Sequence, residues 1–153
     1  MNILAAVDFS HVTEEVVSKT KTLAAALQAK VFLLHVIAPA TPVIDMETNI
    51  ETWTPVMDPP EIMEEDRRER PTYNQLLEIA SGLRAAGLDV SVAVAHNDEV
   101  SAIIEAAETA DASLIILGSH GHGALYNLLV GSVSEGVVRK ATCPVVIVPA
   151  QKR

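Results

Sequence analysis

The chain has little of several residue types on which protein structure and chemistry often depend. Among its 153 residues there is one cysteine, Cys143, and only 3% are aromatic. A single cysteine cannot form a disulfide within the chain, which favours a reducing compartment. Cys143 lies between Thr142 and Pro144 at the start of an apolar run, so we interpret it as a core residue, with a reactive thiol as the alternative.

Basic residues are also scarce. Eleven Lys and Arg stand against twenty Asp and Glu, which gives a formal net charge of -9. This charge repels nucleic-acid backbones and anionic membrane surfaces, so we expect neither as a partner. It also opposes a bare triphosphate, and a bound nucleotide is therefore expected to carry Mg²⁺.

Long hydrophobic runs are absent, although 49% of the residues are hydrophobic. No run is long enough to cross a bilayer, so no membrane insertion is predicted. Residues 1–7 have no basic flank and no cleavage site, and they are predicted to form the first strand rather than a signal peptide. These features predict one globular domain over residues 1–153, located in the cytoplasm.

Short apolar runs alternate with helical stretches along the chain. The runs are rich in Val, Ile and Leu with little alternation, which is typical of strands covered on both faces, at 2–7, 31–37, 90–95, 113–117 and 145–148. Between them the spacing predicts helices over 12–29, 72–86, 99–110 and 132–140. Ser10 is the predicted N-cap of the first helix, and Gly87 ends the second. This alternation predicts a parallel sheet with helices on both faces.

Residues 39–71 interrupt the alternation. They contain six of the eight prolines and the only tryptophan, Trp53. Prolines at this density oppose both helix and central strand, so 39–59 is predicted to be a loop. A variable surface insertion is the simpler interpretation. Because the loop follows the carboxyl end of the second strand, a flap over a ligand site is the alternative.

Glycine is concentrated after the fourth predicted strand. Five of the seven glycines lie between residues 118 and 136. Such a turn lets backbone N–H groups approach an anion, and Gly131-Ser132 precedes a helix whose first N–H groups have no partner inside it. The pattern predicts a phosphate site, with the Ser132 and Ser134 hydroxyls as further donors. Neither the P-loop nor the Gly-x-Gly-x-x-Gly fingerprint is present.

Three side chains near the predicted strand ends are candidates for chemistry. Ligands bind at the carboxyl ends of parallel strands where the strand order reverses, and Asp8 follows the first strand. Asp8 has two interpretations. It is a turn or helix-capping residue, or its carboxylate accepts hydrogen bonds from a ribose or a base. For His120 and His122 the simpler interpretation is that they are solvent-facing polar residues. The functional alternatives are contacts to phosphate or a role as phosphoryl acceptor. Without cysteine or a third ligand nearby the two histidines make a weak metal site.

Five segments together resemble the universal stress protein family: Val-Asp-Phe-Ser at 7–10, Leu-Leu-His-Val at 33–36, Leu-Gly-Ser-His-Gly at 117–121, Leu-Leu-Val-Gly-Ser-Val-Ser at 128–134 and Cys-Pro-Val-Val-Ile-Val at 143–148. The resemblance covers nearly the whole chain except 39–71. Its Gly-x2-Gly-x9-Gly-Ser spacing is typical of the family's ATP-binding branch. The resemblance implies a Rossmann-like α/β fold with a five-stranded parallel sheet of order 3-2-1-4-5, and a homodimer formed partly through the last strand, 145–148.

The resemblance also implies a set of ATP-binding positions. Adenine and ribose contacts correspond to Ala6, Val7, Asp8, Val36 and Leu117, and phosphate contacts to Gly118, Gly121, Gly131, Ser132, Val133 and Ser134. The chain departs from the family at two places. Asn97-Asp98-Glu99 stands where relatives often carry Gly-x-Pro; asparagine tolerates the left-handed backbone that glycine would supply, but an altered turn would reshape the ribose edge. His122-Gly123 stands where many relatives carry charged residues.

These features support three functions of different classes. The first is a dimeric cytoplasmic regulator that binds ATP, or AMP or ADP, and acts through an unknown protein partner. The second is a slow ATPase or a nucleotidyl- or phosphoryl-transfer enzyme that uses His120 or His122. The third is a dimeric scaffold with an empty pocket. No Lys, Arg finger or paired carboxylate accompanies the glycines, which favours binding over fast turnover.

Overall fold

Strands and helices alternate through the parts of the chain that the structure, a computed structural model, describes: residues 1–37, 70–119 and 131–150. In chain order the elements are β1 (Asn2–Ala6), α1 (Thr13–Leu27), β2 (Lys30–Ile37), α2 (Arg70–Ala85), β3 (Val90–His96), α3 (Glu99–Thr109), β4 (Leu114–Gly118), α4 (Ser132–Lys140) and β5 (Val145–Val148). Each predicted strand and helix is present, with its ends within two residues of the prediction. Trp53 and the predicted loop 39–59 lie outside the described residues.

The strands form one parallel sheet with β1 at its centre. The order is β3-β2-β1-β4-β5, which confirms the expected 3-2-1-4-5 arrangement. In the middle of the sheet Leu4 is opposite Phe32 of β2 on one side and Ile115 of β4 on the other. The chain therefore runs outward from β1 in one direction to β3, and returns to the other side of β1 for β4 and β5.

Helices cover both faces of the sheet, as the unalternating strand sequences predict. Successive side chains of a strand point to opposite faces, so each strand contributes to two cores. Ile3 and Ala5 pack with residues of α1 and α2, whereas Leu4 packs with residues of α3 and α4. Burial of both faces accounts for the near-continuous Val, Ile and Leu content of the strands.

Two helix starts differ from the prediction. Helix α1 begins at Thr13, and its N-cap is Val12 without a side-chain capping bond, so the assignment of Ser10 as N-cap is wrong. The Ser10 hydroxyl instead accepts the Val12 N–H at 3.3 Å, within the turn that precedes the helix. Helix α2 begins at Arg70, two residues before the predicted start, so Pro71 belongs to its first turn. Proline fits there because the first N–H groups of a helix have no partner inside it.

The end of α2 is placed by Gly87, as predicted. Gly87 has φ 87°, in the left-handed region that favours glycine. Its N–H donates to the carbonyl oxygen of Arg84, and the Leu88 N–H donates to that of Leu83. These bonds close the last turn and direct the chain into β3.

Cys143 lies at the border of the second core. It is half-buried, packs against that core and is a free thiol. Burial raises the pKa of the Cys143 thiol above its usual value, which lowers the fraction of thiolate. The core interpretation therefore agrees with its environment. No helix in the described parts of the chain is both long and apolar enough to cross a membrane.

Candidate functional site

A cleft opens at the carboxyl end of the sheet, where the strand order reverses. The connection from β1 leads to β2 on one side, while β4 lies on the other side, so the chain segments that follow β1 and β4 move apart. The cleft holds about 600 Å³ of space, counting the open solvent at its mouth. Its lining consists of Ala6, Val7, Asp8, Val12, Thr13, Val16, Val36, Glu99, Ile103, Leu117, Gly118, Val133 and Ser134.

Most of the residues singled out from the sequence meet in this cleft. Its lining includes Ala6, Val7, Asp8, Val36, Leu117, Gly118, Val133 and Ser134. Gly131 and Ser132 are at the start of α4 but do not line it. Gly121 lies outside the described residues, as do His120 and His122.

Sequence reasoning missed five lining residues, all at or near the starts of helices. Val12, Thr13 and Val16 come from the start of α1, and Glu99 and Ile103 from α3. These helix starts follow β1 and β3 at the end of the sheet where the cleft opens, so the predicted helix starts at 12 and 99 were the signal that could have found them. Val12 and Val16, four residues apart, occupy one helix face and continue into the buried core.

Asp8 organises the turn between β1 and α1. Its Oδ1 accepts the Ser10 N–H at 3.0 Å and the Thr13 hydroxyl at 3.4 Å. This is the local bonding expected when an aspartate shapes a turn, and it agrees with the turn interpretation of Asp8. Asp8 also lines the cleft, so the turn directs its half-buried carboxylate to the site.

Phe9 and His35 support the same turn from the β2 side. Phe9 has φ 58°, which is uncommon for a bulky residue and turns the chain away from the line of β1. Its ring packs on the His35 ring with the centroids 4.5 Å apart. The Nδ1 of His35 is 2.8 Å from the carbonyl oxygen of Val7. Since a carbonyl oxygen only accepts, Nδ1 is the donor.

The opposite rim of the cleft joins β4 to the start of α4. The Ser134 hydroxyl donates to the carbonyl oxygen of Gly118 at 2.7 Å, which ties the first turn of α4 to the end of β4. The Gly131 N–H likewise donates to the Ser119 carbonyl oxygen at 2.6 Å. Within the described residues no acceptor is found for the N–H groups of Ser132, Val133 and Ser134. These three donors begin the helix.

The start of α3 completes the side of the cleft near β2. Asp98 is its N-cap, and its Oδ2 accepts the Ser101 N–H at 3.0 Å and the Ser101 hydroxyl at 2.9 Å. The Ser101 backbone bond, followed by its hydroxyl bond, holds the pKa of Asp98 below its usual value. Asn97 does not use the left-handed backbone that asparagine tolerates, because the non-glycine residues with positive φ in the described ranges are Phe9, Gln28 and Asp111. The Asn97 side-chain oxygen instead accepts the Asp98 N–H at 2.7 Å.

The chemistry of the described lining is that of a binding site. Two carboxylates, on Asp8 and Glu99, face a largely apolar wall, and no Lys or Arg is among the lining residues. The described residues contain no cluster of three His, Cys, Asp or Glu side chains that could hold a metal ion. The arrangement provides orienting polar contacts and helix N–H donors.

A parallel sheet of this order, covered on both faces and open at the reversal point, defines a doubly wound, Rossmann-like α/β protein with a ligand cleft at the strand ends. The sequence places it more narrowly. The chain belongs to the universal stress protein family, whose sequence profile matches residues 1–149. Universal stress protein YxiE of Bacillus subtilis is 30% identical over 148 residues, which cover 95% of this chain and 97% of that protein.

Solved structures share the fold over nearly the whole chain. The structure of MJ0577, a universal stress protein of Methanocaldococcus jannaschii, matches with a TM-score of 0.77 at 24% identity and covers 99% of this chain and 97% of that one. A universal stress protein in complex with cAMP matches with a TM-score of 0.69 at 22% identity, covering 99% and 98%. The Archaeoglobus fulgidus protein in complex with dAMP matches with a TM-score of 0.63 at 22% identity, covering 97% of each chain.

Proposed function

We propose that this chain binds an adenine nucleotide, ATP with Mg²⁺, in the cleft and acts as a nucleotide-dependent regulator through a protein partner. The observation that carries the proposal is the convergence of four separate segments, at Ala6–Asp8, Val36, Leu117–Gly118 and Val133–Ser134, on one cleft. Two relatives of the same fold hold cAMP and dAMP. Both of these ligands contain an adenine base.

The β2 rim supports recognition of the base. Lys30 donates its N–H towards β1, to Met1, and Val31 donates towards β3, to Asp89. The N–H and C=O groups of successive residues in a strand point to alternate sides, so those of Val36 point to the same side as those of Lys30, towards β1. The last β2 residue paired with β1 is Leu34, and Val36 lies two residues beyond it. An adjacent donor and acceptor match the N1 acceptor and N6 amino donor of adenine. Leu117 and Ile103 in the same lining provide apolar contact for the ring.

The α4 rim supports binding of phosphate. The N–H groups of Ser132, Val133 and Ser134 and the positive end of the helix dipole favour an anion at this position. The family spacing extends the phosphate site to Gly121, outside the described residues. Because Asp8 and Glu99 line the same cleft and the net charge is -9, Mg²⁺ on the phosphates would reduce the repulsion.

The same proposal includes a homodimer in the cytoplasm. β5 (Val145–Val148) is at one edge of the sheet, and among the described strands it pairs with β4 alone. A strand with one unpaired side is a ready site for pairing with a second chain. Analytical ultracentrifugation of the purified chain, with and without ATP, tests the homodimer. A monomer at micromolar concentration would contradict it.

The experiment that tests nucleotide binding begins with the freshly purified protein. Denaturing it and identifying the released small molecules by mass spectrometry is expected to show ATP, ADP or AMP. Calorimetry of the nucleotide-free chain with ATP and GTP, each with and without Mg²⁺, is then expected to show preference for ATP with Mg²⁺. Equal or absent binding of both nucleotides would contradict the proposal.

The enzyme alternative uses His120 or His122 and has its own test. We expect steady-state hydrolysis of Mg-ATP far below the ~1–100 s⁻¹ of dedicated phosphoryl-transfer enzymes, and little change in His120→Ala or His122→Ala. Turnover of about one per second that either substitution abolishes would establish the catalytic function instead.

A further inference from the structure

The hydrogen-bond ladder between β1 and β2 stops one bond earlier than its register allows. The Val7 N–H donates to the Leu34 carbonyl oxygen at 2.9 Å, one residue past the end of β1. In a parallel ladder the next bond would run from the Val36 N–H to the Val7 carbonyl oxygen. That bond is absent from the hydrogen bonds of the described residues.

The Val7 carbonyl has another donor in place of Val36. His35 Nδ1 lies 2.8 Å from the Val7 oxygen, a normal hydrogen-bond distance. His35 adjoins Val36 in β2, but its side chain reaches the carbonyl from the face of the sheet that carries Phe9. The contact satisfies the Val7 carbonyl without using the next backbone N–H of the strand.

Two further features fix this arrangement. The Phe9 ring packs on His35 with the ring planes inclined at 33°, so this contact supports the position of the imidazole. The positive φ of Phe9 turns the chain out of the ladder, so no bond from the Phe9 N–H reaches the Val36 carbonyl in the described structure. Both backbone groups of Val36 therefore remain directed at the cleft that Val36 lines.

We propose that His35 is a positioning residue for the purine base: by donating to the Val7 carbonyl, it ends the β1–β2 ladder and leaves the Val36 N–H available to the base. This inference rests on the proposed function, because it assigns a base to the cleft. It goes further by making base recognition depend on a side chain that does not line the cleft.

Three variants of His35 separate the effect of its hydrogen-bond donor from that of its aromatic ring. His35→Phe keeps an aromatic ring against Phe9 but removes the donor, and His35→Leu is a second donorless variant should the first fail to fold. His35→Asn is the matched control, because its amide nitrogen occupies about the position of Nδ1 and can restore the bond to Val7. Thermal unfolding of all three variants reports any general loss of stability.

The first measurement needs no nucleotide. Amide hydrogen exchange followed by NMR is expected to show an unprotected Val36 N–H in the wild type and in His35→Asn. In His35→Phe the Val7 carbonyl is left for the Val36 N–H, so Val36 exchange is expected to slow by about tenfold or more. Equal protection of Val36 in the wild type and the donorless variants overturns the proposal.

The second measurement is calorimetry with ATP and with 1-deaza-ATP, which has C–H in place of N1 and cannot accept the Val36 N–H. His35→Phe is expected to weaken ATP by about tenfold, the net effect of about one hydrogen bond, and His35→Asn to restore it. Binding of 1-deaza-ATP is expected to be the same in all forms. Equal weakening of both ligands means a general structural role and overturns the proposal.

The two proposals fail in different ways. A wild type that binds no adenine nucleotide overturns the proposed function and with it the purine role of Val36. A wild type that binds ATP normally, together with donorless variants that bind it as well, overturns the role of His35 alone.

Discussion

The two rims of the cleft are held in place by different kinds of contact. On the β1–β2 rim, side chains bond to backbone groups and fix the turn, as His35 does with Val7 and Asp8 with Ser10. On the β4–α4 rim, one hydroxyl, that of Ser134, joins the helix to the strand, and the remaining donors are backbone N–H groups at the helix start. The first rim thus depends on residue identity, whereas the second depends on backbone position and on the absence of side chains.

This difference predicts how each rim responds to substitution. A rim of side-chain contacts loses one contact at a time, so single changes should have graded effects. A rim of backbone donors tolerates most changes but fails when a side chain occupies the space that the ligand needs. Substitutions on each rim distinguish these two responses.

Gly131→Val tests the backbone rim. Gly131 has φ -74° and ψ 162°, a conformation that valine adopts easily, so the change should leave the fold intact while its side chain blocks the approach to the α4 N–H groups. We expect loss of measurable ATP binding by calorimetry with unchanged thermal unfolding. Gly82→Val, at an exposed position of α2 away from the cleft, is the control for the effect of a valine side chain on stability. Unchanged ATP affinity in Gly131→Val would remove the phosphate site from this rim.

Asp8→Ala tests the side-chain rim and should have a graded effect. Loss of a charged hydrogen-bond acceptor is expected to weaken ATP by about 1–3 kcal/mol. Asp8→Asn retains an oxygen for Ser10 and Thr13, so it keeps the turn and isolates the contribution of the charge. Calorimetry of both variants with ATP decides whether Asp8 contacts the nucleotide or only shapes the turn. A change below about twofold in Asp8→Ala, under 0.5 kcal/mol, would leave Asp8 with the turn role only.

Substitutions at two helical glycines test the packing of α4, which carries the β4–α4 rim, against α3. A Cβ on Gly136 of α4 would lie 2.7 Å from Val100 Cγ2 of α3, whereas a Cβ on Gly82 of α2 meets nothing within 4 Å. Alanine gains about 1 kcal/mol in helix propensity at either site, but overpacking costs about 1–3 kcal/mol at Gly136. We expect Gly82→Ala to stabilise the protein and Gly136→Ala to destabilise it by about 1 kcal/mol, measured by urea unfolding.

The cause of the Gly136 effect has a direct check. Adding Val100→Ala to Gly136→Ala removes the overlapping methyl groups, so the pair should be less unstable than the sum of the single changes. Strict additivity would mean that the α3–α4 contact is not what excludes a side chain at position 136.

Asp98→Ala tests a side-chain contact away from the base and should have the smallest effect. Loss of the cap is expected to cost about 0.5–1 kcal/mol at neutral pH, the lower part of the usual range because Asp98 is exposed. The pKa of Asp98 is lowered in the folded chain, so its contribution is present above the unfolded pKa and declines as pH falls through the folded value. Unfolding free energies of wild type and variant should therefore converge in acid, and a constant difference down to pH 2 would contradict this account.

The fold could be predicted from the sequence because its signals are local. Apolar runs such as 31–37 are too short and too evenly apolar for anything but strands covered on both faces, and Gly87 marks a helix end through its own backbone angle. The strand order came from the family resemblance, since local spacing does not say which strands are neighbours.

The site was less predictable because it depends on where helices begin and on strand register. Thr13 and Glu99 enter the cleft lining only because α1 and α3 start where they do. The bond from His35 to Val7 requires the β1–β2 register, and the use of the Ser134 hydroxyl by Gly118 requires the position of α4 relative to β4. None of these follows from residue type or spacing alone.

The central position of β1 determines when during synthesis the cleft can exist. Of the five strands β1 is made first and β2 follows soon after, but the other neighbour of β1, β4, is made only after α2, β3 and α3. Until then one edge of β1 has no partner from its own chain and could pair with another nascent strand. The β4–α4 rim is made later still, so a ligand that needs both rims could bind only once β4 and α4 are in place. The early steps of folding therefore rest on α1 and on the β1–β2 pair, and the apolar β1 edge stays open to misassembly until β4 covers it.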